Sequence, residues 1–139
     1  MIAKTVWKKE MEFDGHSESG HHLVFDAGAA HANGPTPMEA VLMALCACTS
    51  ADVVSILEKK REPLISLTVS ATAEQAAPPP RVFTRIGLVY HVGGAVSKKA
   101  AEDAVALSKN KYCSVSKMLE KAVPIDFTIE YANATVSSE

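Results

Sequence analysis

This 139-residue sequence has no surplus of positive charge. Lys and Arg number 14 against 16 Asp and Glu, a formal net charge of -2, so no basic surface points to nucleic acid or to an anionic membrane. The N-terminus, Met1 to Lys9, holds no apolar core of signal-peptide length. The longest uninterrupted apolar run, Ala40 to Cys48, is about half a membrane span. There is no phosphate loop, no G-x-S-x-G elbow and no dinucleotide fingerprint, and nothing suggests a Ser-His-Asp triad. His16, His21, His22, His31 and His91 lack the helical spacing of metal ligands and are expected as strand and loop residues exposed to water, with no metal. The cysteines number 3, so they cannot all pair in disulfides. Together these absences predict a single globular domain over 1–139, cytoplasmic, in a reducing compartment where structural disulfides have little use.

What is present divides into apolar-patterned segments. Residues 2–7 and 21–25 read as strands, with a short one at Met11-Glu12-Phe13 and turns at Asp14-Gly15 and Ser19-Gly20. Asp26 to Pro35 reads as a loop. Thr36-Pro37-Met38-Glu39 is a capping box: Thr36 as N-cap, Pro37 in the first turn, Glu39 three residues after the cap. The helix it opens should reach about Lys60 and is apolar on every side from Ala40 to Cys48, hence buried. Leu64 to Ala73 and Val82 to Val92 are expected as a hairpin, joined by Pro78-Pro79-Pro80. Ser97 caps a second helix that Asn110 breaks. A third starts near Cys113 or Ser114 and ends near Ala122. Pro124 to Tyr131 closes the fold as a strand, and 132–139 is expected to fray. The predicted class is α+β, order βββαββααβ, an antiparallel sheet with a long central buried helix. So thin a sheet cannot cover such a helix on all sides, which predicts a dimer.

Two cysteines carry the candidate chemistry. Cys48 lies too deep in its helix for the macrodipole to favour a thiolate, and Asp52, one turn on, opposes it. A reactive Cys48 therefore needs a cation or donor from elsewhere; the alternative is a small core residue. Cys113 has the opposite setting, near a helix N-terminus with Lys111 close by, which favours a thiolate; the alternative is a partly exposed, ordinary cysteine. Cys46 points roughly 200° away from Cys48 around the helix and reads as core filler. Glu39 is separated from Cys48 of its own chain by about 13.5 Å of helix, so any catalytic use of Glu39 at Cys48 must come from a second subunit.

The stretch Gly34-Pro35-Thr36-Pro37-Met38-Glu39, then Leu42, Ala44, Leu45, Cys48-Thr49 and Asp52-Val53-Val54, together with Lys111-Tyr112-Cys113-Ser114-Val115-Ser116-Lys117-Met118-Leu119, resembles the OsmC/Ohr family of thiol peroxidases, its OsmC-like branch in particular. The resemblance covers nearly the whole chain. It implies an OsmC-like fold in an intertwined homodimer with two sites at the interface. Cys48 matches the family's peroxidatic cysteine and Cys113 its resolving cysteine, while Glu39 lies one residue beyond the family's acidic position after the proline. Ohr-type members hold the thiolate with an N-terminal arginine, and this chain has no arginine before Arg61. Where branch members often carry an arginine in the fourth strand, this chain has Glu74-Gln75. Arg61, Arg81 and Arg85 are its only arginines.

The resemblance implies an organic hydroperoxide reductase of the oxidative-stress response. Cys48 would be oxidised by an alkyl peroxide, Cys113 would resolve it as a disulfide, and an external dithiol such as a lipoyl group would reduce the pair. No cofactor is implied: no metal, flavin or haem. The missing arginine motivates a rival, a non-catalytic dimer that binds a small ligand or senses thiol redox state. A third reading is a structural dimer with inert cysteines.

Overall fold

The structure is a computed structural model that describes residues 1–132; of the expected frayed tail, 133–139 lies outside the described residues. Two compact units make up the chain, Met1–Met43 and the remainder from Ala44.

The first unit is an antiparallel meander: β1 (Ala3–Lys9), β2 (Glu12–Ser17) and β3 (His22–Asp26), in that order. Asp14-Gly15, expected as a turn, lies inside β2 instead. Its glycine serves a close approach: a Cβ at Gly15 would meet the Phe25 ring at 2.8 Å. The β1–β2 reversal is made one step earlier, at Glu10, whose φ is 49°. Ser19-Gly20 does form the next turn, with Gly20 at φ 90°. After β3 the loop is tied down by the Asp26 carboxylate, which accepts from the Gly28 N–H at 2.9 Å and the Asn33 N–H at 3.2 Å. These bonds hold the Asp26 carboxyl below its ordinary range.

Helix α1 (Pro37–Lys59) opens as the capping box requires and crosses from the first unit into the second. Leu45, Thr49, Val53 and Leu57, four residues apart, are its buried stripe. A second stripe, Met43, Ala44, Ala47 and Ala51, is exposed on this chain. Over its most apolar 18 residues the mean hydropathy is 2.0, so by length and composition alone α1 could cross a membrane. The nine-residue run counted in the sequence understates it, because Thr49, Ser50 and Asp52 interrupt the run without ending the apolar character.

The second unit contains β4 (Leu64–Gln75), β5 (Phe83–Gly94), α2 (Lys98–Leu107), α3 (Ser114–Leu119) and β6 (Ile125–Tyr131). The sheet order is β4-β5-β6. β4 and β5 are the expected antiparallel hairpin, but β6 runs parallel to β5, so this sheet is mixed rather than wholly antiparallel. The helical segment between β5 and β6 is the long crossover that a parallel pair needs. Ser97 caps α2 as expected, its hydroxyl accepting from the Ala100 N–H at 3.2 Å. Ile86, Leu88, Tyr90 and Val92 alternate along β5 into the core, where Ala100, Ala101, Ala104 and Val105 of α2 are also buried. Each fully buried aliphatic side chain contributes about 1.5–3 kcal/mol. Between α2 and α3 the chain makes a π-helical turn, Ser108–Tyr112, in the place where Asn110 is expected to break the helix.

Candidate active site

The site belongs to the second unit. Cys48 lies on α1 beside the buried stripe and is itself half-buried. Cys113 is wholly buried and is the N-cap of α3, its Sγ accepting from the Ser116 N–H at 3.4 Å. The fold makes neighbours of these two thiols, which are 65 residues apart in sequence (113 minus 48). Burial pushes the Cys113 thiol up to about 11; the Ser116 N–H opposes the rise, while a hydrogen bond that Cys113 donates to Cys48 and the charges of Cys48 and Asp52 add to it.

Two sequence expectations for Cys113 are thereby corrected. It is not partly exposed, and Lys111 does not hold it as a thiolate. The Lys111 ammonium lies over the Tyr112 ring, 5.3 Å from its centroid. Lys109 donates to the Ile125 carbonyl at 2.6 Å. Desolvation thus outweighs whatever the short helix supplies. Cys46 is half-buried and its thiol is also raised by burial, in keeping with a packing role.

Two of the three arginines are engaged elsewhere among the described residues. Arg85 pairs with Asp126 at 2.6 Å, Arg81 donates from Nε to the Ala76 carbonyl at 3.3 Å, and Arg61 sits just past the end of α1. Glu39 closes the capping box. Its carboxylate accepts the Thr36 N–H and lies below the ordinary carboxyl range for that reason.

Beside the cysteines runs a chain of hydroxyls that sequence reasoning did not find. Tyr90 Oη lies 2.7 Å from Thr49 Oγ1, Thr49 Oγ1 lies 2.8 Å from Ser108 Oγ, and Ser108 Oγ donates to Asp52 Oδ2 at 2.8 Å. Tyr90, Thr49 and Ser108 are fully buried. A carboxylate only accepts, so Ser108 spends its one proton on Asp52, Thr49 donates to Ser108, and Tyr90 donates to Thr49. Burial pushes the Tyr90 hydroxyl up to about 12, which keeps it a donor. Asp52 also lines a groove of about 410 Å³ with Ile56, Leu107 and Tyr112. The sequence signal for this chain is modest: polar residues at 49 and 52 within an apolar helix, and a serine at the end of another. The Ser116 hydroxyl, buried three residues beyond the Cys113 cap, has no hydrogen-bond partner among the described residues.

One histidine cluster also escapes the sequence reading, because a test of helical spacings does not reach across strands. His16 and His22 face each other across the β2–β3 pairing, with ring centroids 5.1 Å apart. Asp14 Oδ1 is 3.4 Å from His22 Nε2, and the three potential ligand atoms lie within 4.8 Å of one another. The Lys8 ammonium stands 3.7 Å from the same carboxylate oxygen, so a cation already serves that carboxylate. The cluster reads as a surface ion-pair patch rather than a metal centre.

Comparison with known proteins gives a consistent answer. The family model described as OsmC-like protein matches residues 30–128. Protein YhfA of Escherichia coli K12 is 44% identical over 135 residues, which cover 96% of this chain and 100% of that one. A solved structure of a hypothetical protein from Aquifex aeolicus superposes with a TM-score of 0.81 at 26% identity, covering 95% of this chain and 97% of the other. An organic hydroperoxide resistance protein OsmC from Legionella pneumophila superposes with a TM-score of 0.70 at 16% identity over 93% and 95% of the two chains, a likeness of fold.

Proposed function

The chain belongs to the OsmC-like family, and on that premise we propose that it is a cysteine-based organic hydroperoxide reductase. The observation that carries the reading is the pairing of a half-buried Cys48 with a fully buried Cys113. A peroxide arriving from solvent meets Cys48 first. The Cys48 thiolate attacks the outer peroxide oxygen; the O–O bond breaks, an S–O bond forms, and the alkoxide takes up a proton and leaves as alcohol. Cys48 is now a sulfenic acid. The Cys113 sulfur then attacks the Cys48 sulfur, the S–O bond breaks, and hydroxide leaves as water with the proton from Cys113. An external dithiol, of the lipoyl type among others, reduces the disulfide by two exchanges and becomes a disulfide itself. The apolar surroundings of Cys48 favour alkyl peroxides over hydrogen peroxide.

The working form is a cytoplasmic homodimer. Its support is the exposed stripe on α1, where Met43 retains 54% of its accessible surface in the single chain and Ala44, Ala47 and Ala51 continue the same face. A second copy laid along this face buries it and brings each Glu39 and each Cys48 into one assembly. Turnover of cumene hydroperoxide with dihydrolipoamide tests the proposal: the native protein consumes both, and Cys48→Ser consumes neither.

One observation favours a second reading. With Arg81 and Arg85 engaged elsewhere and Cys113 held as a thiol, no cation is seen on either sulfur among the described residues. A non-catalytic dimer that binds a small ligand, or registers thiol redox state through the same two cysteines, is the conclusion if turnover is absent but the disulfide still forms.

A further inference from the structure

We infer that Ser108 is a positioning residue that fixes the Cys113 sulfur against Cys48, and that Asp52 acts with it. The inference rests on the Cys48–Cys113 pairing of the proposed function and goes beyond it, because it assigns the part of the chain that holds the second cysteine in place.

Ser108 is bonded through every polar group it has. Its N–H donates to the Ala104 and Val105 carbonyls and so ends α2. Its carbonyl accepts the Cys113 N–H at 2.7 Å, the bond that closes the π turn. Its hydroxyl accepts from Thr49 and donates to Asp52, both at 2.8 Å and both on α1. One residue thereby ties the helix that carries Cys48 to the backbone of Cys113. A π turn inserts one residue beyond an ordinary helical turn and re-aims the chain on its C-terminal side, which is why such turns recur at functional sites. Here it turns Cys113 inward, where the side chain is wholly buried. Without the hydroxyl, the turn loses the hydrogen bonds from Ser108 to α1, and the Lys109 bond to the Ile125 carbonyl does not hold it against that helix. Disulfide geometry tolerates little displacement, since Cα separations beyond about 7 Å cannot be bridged.

The chain is directional, and that makes the two ends unequal. The Ser108–Asp52 bond is charge-assisted and stronger than the neutral link from Tyr90 to Thr49. Asp52 should therefore matter more than Thr49, even though Thr49 is the more deeply buried.

The test uses the full-length protein equilibrated with reduced and oxidised glutathione, with the Cys48–Cys113 disulfide quantified by peptide mapping. This readout needs no peroxidase activity. Ser108→Ala is expected to lower the equilibrium constant for the disulfide at least about tenfold, and Asp52→Ala to do the same. Asp52→Asn, which keeps an acceptor oxygen for Ser108, should restore it to within about threefold of native, and Thr49→Val should stay within that range. Should Ser108→Ala fail to fold, the contrast between Asp52→Ala and Asp52→Asn decides. Native-like equilibria in Ser108→Ala or Asp52→Ala, or an equal fall in Thr49→Val, overturn the positioning role and leave the peroxidase reading standing. A native protein that forms no Cys48–Cys113 disulfide overturns both. A disulfide with the expected pattern but no peroxide turnover keeps the positioning role and removes the peroxidase.

Discussion

The Glu39 carboxylate accepts the Thr36 N–H at 2.9 Å while the Thr36 hydroxyl accepts the Glu39 N–H at 3.2 Å, so each residue caps the other at the start of α1. This reciprocal bond occupies the acidic residue that lies one position beyond the family's acidic position after the proline. Thr36→Ala should destabilise the protein by about 1 kcal/mol, the usual cost of a lost helix cap, as read by denaturant unfolding. Glu39→Gln keeps an acceptor for the Thr36 N–H and should leave stability close to native.

Catalytic use of Glu39 demands a partner subunit, and mixing shows it. When Glu39→Gln chains and Cys48→Ser chains reassort freely, half of the dimers are mixed. One site of each mixed dimer has both defects and the other has neither, so about a quarter of normal sites should return. Full activity in Glu39→Gln alone reduces this residue to a helix cap.

The exposed stripe on α1 predicts that the folded protein is dimeric at every concentration where it remains folded. Light scattering during dilution should show no folded monomer. Ala47→Glu places an unpaired charge on that stripe and should shift the protein to monomer or abolish folding. A native protein that stays folded as a monomer contradicts the dimer.

Alkaline pH should unfold the protein through two groups in the same site. The Cys113 thiol is raised from 9.0 to about 11 and the Tyr90 hydroxyl from 10.0 to about 12, both chiefly by burial. In each case the folded state keeps a proton that the unfolded state has already lost, so stability is fully present below the unfolded value and falls as pH rises toward the folded one. The decline should begin near pH 9 and continue to about pH 12, seen as a falling urea midpoint. Tyr90→Phe and Cys113→Ser should each flatten part of it.

The elements are legible where one local signal dominates: the capping box, the Ser97 cap, the β4–β5 hairpin, the helix carrying Cys48. Two misreadings share a cause. Gly15 reads as a turn because a glycine signals one locally, whereas its reason is the Phe25 ring packed against it from the neighbouring strand. Cys113 reads as a thiolate because Lys111 is close by in sequence and a helix starts there, or else as a partly exposed ordinary cysteine, whereas its sulfur is buried and the lysine goes to the Tyr112 ring. Both depend on tertiary contacts that no local window contains. The Tyr90–Thr49–Ser108–Asp52 chain is the extreme case: it joins a strand, a helix and a turn, and none of its members marks the others in sequence.

The roles of the two cysteines separate under stoichiometric peroxide. Cys113→Ser should consume its first equivalent and then stall, accumulating a sulfenic acid at Cys48 that over-oxidises. Cys48→Ser should consume none. Normal turnover in Cys113→Ser removes the resolving role.

Peptide mapping of the native protein after one equivalent of cumene hydroperoxide tests the central claim most directly. The account predicts one intrachain disulfide between Cys48 and Cys113, with Cys46 recovered as a free thiol and the peroxide converted to alcohol. Recovery of all three thiols with the peroxide unconsumed, or a bridge that contains Cys46, would contradict it.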